Sequence, residues 1–166
     1  MEGAACPFSD WARGRLRRRS GSGSRNWPEL RAGLSKYSGH DLTSLIGNIS
    51  AKLPEMSDWL PEAVGPESDD ALGLALLGDV TIERAWRVRT ASYAQHVSKD
   101  QFRDFHKLLR EAEAHLYRSA ELDPKSAAPW YPLLISGRGL EVGLDVQQRH
   151  SESLIERSPG HLGAHK

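Results

Sequence analysis

The sequence predicts an all-α fold of stacked antiparallel helical hairpins, and three observations carry that prediction. Apolar residues recur at three- and four-residue spacing through most of the chain. Residues that start and stop helices punctuate those runs, and no segment shows the strict alternation of a half-buried strand. The 166 residues can hold one domain with a core of its own. An apolar share of 39%, with 15 glycines besides, is that of a water-soluble domain. No run approaches the ~18 apolar residues that a membrane-spanning helix needs, which points to a cytoplasmic protein without a membrane partner.

Residues 1–25 read as a disordered basic arm. The run from Arg13 to Arg25 is almost entirely Arg, Gly and Ser, with too few apolar groups to offset the entropy of ordering it. It is not a signal peptide, because its arginines follow no uninterrupted apolar segment. The arm carries six arginines against Glu2 and Asp10, so the neutral total hides a body of 16 basic and 20 acidic residues. Such a body offers no electrostatic footprint for nucleic acid, and the arm alone could add only weak, salt-sensitive attraction to a polyanion. Cys6 is the single cysteine, which excludes an internal disulfide and a cysteine-built metal site.

Residues 26–65 predict a helical hairpin followed by a short helix. Asn26 caps a first helix with Pro28 in its opening turn and Leu30 and Leu34 on one face, running to about Lys36. Ser38-Gly39 breaks the chain, and Asp41 caps a second helix carrying Leu42, Leu45, Ile46, Ile49 and Leu53 up to Pro54. Ser57 or Asp58 opens a short helix through Trp59 and Val64. Pro61 stands early enough in it to be tolerated, and Gly65-Pro66 ends it.

Residues 66–166 predict further hairpins. A long helix begins near Asp69-Asp70, where carboxylates suit the helix dipole, and continues through Leu72, Leu76, Trp86 and Tyr93. Gly73 and Gly78 each disfavour it by about 1 kcal/mol against Ala, so they weaken its first half or mark a close helix contact. Ser98 and Gln101 form a capping box ahead of the clearest amphipathic stripe, Phe102, Phe105, Leu109, Ala112, Leu116 and Ala120, which Leu122-Asp123-Pro124 stops. Ser126 then caps a helix with Trp130, Leu133 and Leu134 that ends at Gly137. A last helix carries Leu144 or Val146, His150 and Leu154 to Ser158-Pro159. The tryptophans in or beside these helices, all but Trp11, read as core residues.

The run from Glu111 to Pro124 resembles the second helix of a tetratricopeptide repeat, with small Ala112, apolar Leu116, small Ser119 and helix-ending Pro124 at the characteristic offsets. Trp130 and Leu133 take the places that begin the next repeat, and the proline recurs at Pro159, close to the period of about 34 residues of that class. Leu134, Val146 and His150 depart from the motif, and the interval from Pro66 to Pro124 is far longer than one unit. From Trp27-Pro28 to His165 the chain is similar to uncharacterised bacterial proteins of this helical-repeat type, which implies an α-solenoid architecture and no reaction. A solenoid needs a polar terminal cap. The end at His161-Leu162-Gly163-Ala164-His165 instead reads as the start of a further repeat, as in a truncated or shortened member. An uncapped hairpin with Leu154 and Ile155 exposed then predicts self-association or a missing repeat.

The motifs that would carry chemistry are incomplete. His161 and His165 have the spacing of zinc-binding histidines on a helix, but Leu162 stands where a metalloprotease places its Glu. His96, His106 and His115 are spaced by ten and nine, which does not bring all three to one helix face. No Gly-x-Ser-x-Gly elbow, P-loop or dinucleotide fingerprint occurs. An enzyme or metal-binding protein would have to converge groups such as Glu111, His115 and a histidine of another helix on one site. The favoured expectation is a non-catalytic module, without metal or cofactor, that binds a protein or peptide. The resemblance implies that the first helices of stacked hairpins form the groove, which points to Tyr131, Ile135 and Arg138, with Arg84 and Arg87 of the preceding long helix nearby. Tyr with Arg is common hot-spot chemistry.

Overall fold

The computed structural model describes residues 26–65, 67–90 and 98–161. The arm, Tyr93, His96 and His165 lie outside them. Among the described residues there are seven helices and no strand: α1 (Trp27–Leu34), α2 (Gly39–Lys52), α3 (Met56–Val64), α4 (Ala71–Thr90), α5 (Lys99–Leu122), α6 (Trp130–Gly139) and α7 (Leu144–Arg157). No helix among them is long and apolar enough to cross a membrane.

In α1, Asn26 Oδ1 accepts from the Glu29 amide at 3.2 Å, and Trp27, Leu30 and Leu34 are buried. The second helix begins at Gly39, ahead of the expected Asp41, which falls in its first turn. Gly39 takes φ +52°, a conformation open to a residue without Cβ, and the Ser38 carbonyl already accepts from the Leu42 amide. In α3, Pro61 is the sixth of nine residues, past the first turn where a proline is harmless. The helix tolerates it while its entry is wound by three tight turns, from the amides of Met56, Ser57 and Asp58 to the carbonyls of Leu53, Pro54 and Glu55.

The long helix α4 organises the rest. Its first half joins α1–α3 in one apolar cluster through Ala75, Leu76, Leu77 and Val80. Its second half joins a cluster with Phe105, Leu109, Ala112 and Leu116 of α5 and Leu133 of α6 through Ile82 and Ala85. Its glycines are contact points: a Cβ on Gly73 would lie 3.0 Å from Trp27 Cζ2, and one on Gly78 would lie 2.6 Å from Leu116 Cγ. Asp69 and Asp70 precede the helix and act as tethers. Asp70 Oδ2 accepts from Trp27 Nε1 at 3.1 Å and Arg31 Nε at 2.8 Å, and Asp69 pairs with Arg118 of α5 at 2.9 Å.

The capping box of α5 is formed, with both the Ser98 and the Gln101 side chains engaged. Its stripe shifts at both ends. Phe102 is exposed, and Ser119 rather than Ala120 is fully buried, with its hydroxyl donating to the Ala71 carbonyl at 2.7 Å. Ser126 does not cap α6; its hydroxyl accepts from the Ala128 amide in a preceding turn, and the helix starts at Trp130. Nor does Gly137 end α6. Gly137 and Gly139 are approach points, where a Cβ would lie 2.6 Å from Gln147 Nε2 and 2.5 Å from Leu109 Cδ1.

The last described helix also corrects an expectation. Leu154 is wholly buried and Ile155 half-buried, whereas Leu144 is 89% exposed. The solvent side of α7 is polar, with Arg149 paired to Asp145 at 3.2 Å and Gln148 bonded to Glu152 at 2.8 Å.

Candidate functional site

The five residues expected to line a groove fall on two helices that touch, α4 and α6. Arg84 and Arg87 are three apart on α4; Tyr131, Ile135 and Arg138 follow the four-and-three spacing of one face of α6. Only Arg84 and Arg138 are exposed. Arg87 is half-buried, and its Nη2 donates to the Ser50 carbonyl near the end of α2 at 3.1 Å. Ile135 packs against the second core cluster. The Tyr131 ring lies 4.9 Å from that of His161, which meets the His40 ring edge-on at 4.8 Å. Residues of the candidate face therefore touch both ends of α2: Arg87 at its last turn and, through His161, Tyr131 at its first.

Of the histidines considered as ligands, His161 is buried, and its basicity is lowered first by burial and then by the facing His40. His106 lies against the rings of Phe102 and Phe105. His115 is also pushed down, chiefly by burial, with Glu111 opposing. Among the described residues no group of three His, Cys, Asp or Glu side chains could hold a metal ion.

Four polar features were not singled out from the sequence. Tyr117 and His150 join α5 to α7 by a hydrogen bond of 2.8 Å, and the Ser136 hydroxyl of α6 donates to Glu113 of α5. Burial, with Arg149 adding to it, holds His150 below the usual imidazole range, and burial raises Tyr117. Arg157 lies over the Trp130 ring at 5.0 Å while donating to the Pro124 carbonyl. The fourth feature is Asp79, 4% exposed in the apolar run Leu74-Ala75-Leu76-Leu77-Gly78-Asp79-Val80. A carboxylate inside such a run was the one available signal. The tryptophans divide: Trp27 and Trp59 are core residues, whereas Trp86 and Trp130 are half-buried. Arg89 lies over the Trp86 ring at 5.0 Å.

Among the described residues these elements define an all-helical fold in which several polar side chains tie one helix to another. Compared with protein-family models, with curated proteins and with solved structures, the chain matches none.

Proposed function

We propose that the chain is a non-catalytic interaction module in which α4–α5 and α6–α7 act as two stacked, tetratricopeptide-like hairpins, and the first helix of each presents a face to a protein or peptide partner. The order of helix contacts is the observation that carries this reading. Each of α4, α5 and α6 packs on the next helix, and α4 also packs on α6, the neighbour-on-neighbour pattern of stacked hairpins. The two exposed arginines, Arg84 and Arg138, stand on those first helices. They favour an extended partner segment bearing carboxylates, to which a guanidinium offers paired hydrogen bonds. Because the helices are held by the core before any partner arrives, the segment bears most of the ordering entropy.

The test is affinity capture with mass spectrometry, comparing the wild type with Arg84→Ala plus Arg138→Ala. Both side chains are exposed, so the variant is expected to keep the wild-type helix content and melting temperature. Loss of specific partners from the folded variant supports the reading. An unchanged set of partners refutes the assignment to this face.

A further inference from the structure

Asp79 sits at the seam between α2 and α4, in a stretch where Leu76, Leu77 and Val80 share one apolar cluster with Leu45, Ile46 and Ile49. Its Oδ2 is buried and has no hydrogen-bond partner. The Ser50 hydroxyl beside it donates to the Ile46 carbonyl at 3.0 Å, so that proton is already committed within α2. Arg87, the cation that reaches Ser50, donates to its carbonyl. On α4 itself the charged group that acts on Asp79 is Glu83, of like sign. The charged groups of the surrounding helices are engaged elsewhere or exposed. Arg118 of α5 is paired with Asp69, and Glu113 receives the Ser136 hydroxyl. Lys52 of α2, Asp58 and Glu62 of α3 and Arg138 of α6 face solvent.

We propose that Asp79 is a proton-controlled latch between α2 and α4: the neutral acid closes the seam, and loss of its proton loosens α2 from α4. A neutral carboxyl can donate its own proton to Ser50 Oγ while Ser50 keeps its bond to Ile46. An ionised one must draw the Ser50 hydroxyl away from Ile46 or remain a buried, unpaired charge beside Glu83. Burial raises the carboxyl from its ordinary 3.8 to about 6, with Glu83 adding to the shift and Ser50 opposing it. A folded-state value above the open-state value gives stability that is complete below the lower value and is lost as pH rises through the higher one. From pH 5 to pH 8 the opening equilibrium of α2 should therefore rise about tenfold.

The experiment is amide hydrogen exchange at pH 5 and pH 8, corrected for intrinsic exchange rates, on the wild type and Asp79→Asn. The wild type is expected to open α2 about tenfold more at pH 8, with α5 changing less. Asp79→Asn is expected to show no such dependence. Equal opening of the wild type at both pH values overturns the latch, as does a rise spread evenly over all helices. Persistence of the pH dependence in Asp79→Asn does so too. Should that variant fail to fold, the carboxyl carbon shift of Asp79 in the wild type decides: a midpoint near 6 supports the latch, and one near 4 overturns it.

Discussion

Replacing Gly78 with Ala would add one methyl at a close contact of α4 with α5. Its Cβ would lie 2.6 Å from both Cγ and Cδ2 of Leu116 and 3.3 Å from the Ala112 carbonyl oxygen. Comfortable carbon contacts are about 3.5–4.0 Å, so the overlap with Leu116 is roughly 1 Å. Leu116 is wholly buried and has no solvent to turn into. In an exposed helix the substitution would stabilise by about 1 kcal/mol. Overpacking a filled core costs about 1–3 kcal/mol, and the larger effect decides the sign. Gly78→Ala should therefore destabilise the protein by about 1 kcal/mol, read as a lower urea midpoint by far-ultraviolet circular dichroism. Leu116→Ala alone should cost about 2–5 kcal/mol. In the double variant the new methyl enters the space that Leu116 vacates, so the combined loss should fall short of additivity by at least about 1 kcal/mol. A higher urea midpoint for Gly78→Ala, or strict additivity in the cycle, would refute the packing of α4 on α5.

The two leucines of α7 should separate sharply: Leu154→Ala removes a fully buried side chain and should cost about 2–5 kcal/mol. Leu144→Ala, at an exposed position, should stay within about 0.5 kcal/mol by the same denaturation assay. Acidification should weaken the attachment of α7 and the residues after it, because burial lowers the basicity of His150 and His161 in the folded state. A depressed folded value gives stability that is present above the unfolded value and lost as pH falls through the folded one. In Asp79→Asn, which lacks the opposing carboxyl, the melting temperature should accordingly drop from pH 7.5 to pH 5, and less so when His150→Asn is added. Asp79 titrates in the opposite sense, so Asp79→Asn should steepen the acid loss; a shallower one would contradict the assignment.

The positions of most helices were legible because local chemistry and tertiary packing agree on them. The Ser98–Gln101 box, the Asn26 cap and the stop at Pro124 rest on neighbours in sequence, and the structure keeps all three. Some misreadings were local, as where Ser126 holds a turn instead of capping a helix and the second helix starts at Gly39, and others depended on contacts made outside the helix concerned. Gly137 looks like a helix stop until Gln147 and Val142 of the next segment are seen against it. Leu154 reads as exposed only if nothing covers that side of α7. The candidate face was legible as residue types on two helices that do touch, but not in its occupancy: Arg87 is bonded to α2, and Tyr131 lies against His161. Asp79 went unnoticed because one carboxylate in an apolar run gives no hint of whether a partner waits across the seam.

The claim that the first helices of the hairpins face a partner is tested most directly by photocrosslinking in the native cells. p-Benzoylphenylalanine would be placed at position 138 on α6 and, separately, at position 152 on the polar outer side of α7, both of them exposed. The expected result is a discrete protein adduct from position 138 that disappears with Arg84→Ala and is not formed from position 152. Adducts of equal yield from both positions, or from position 152 alone, would contradict it.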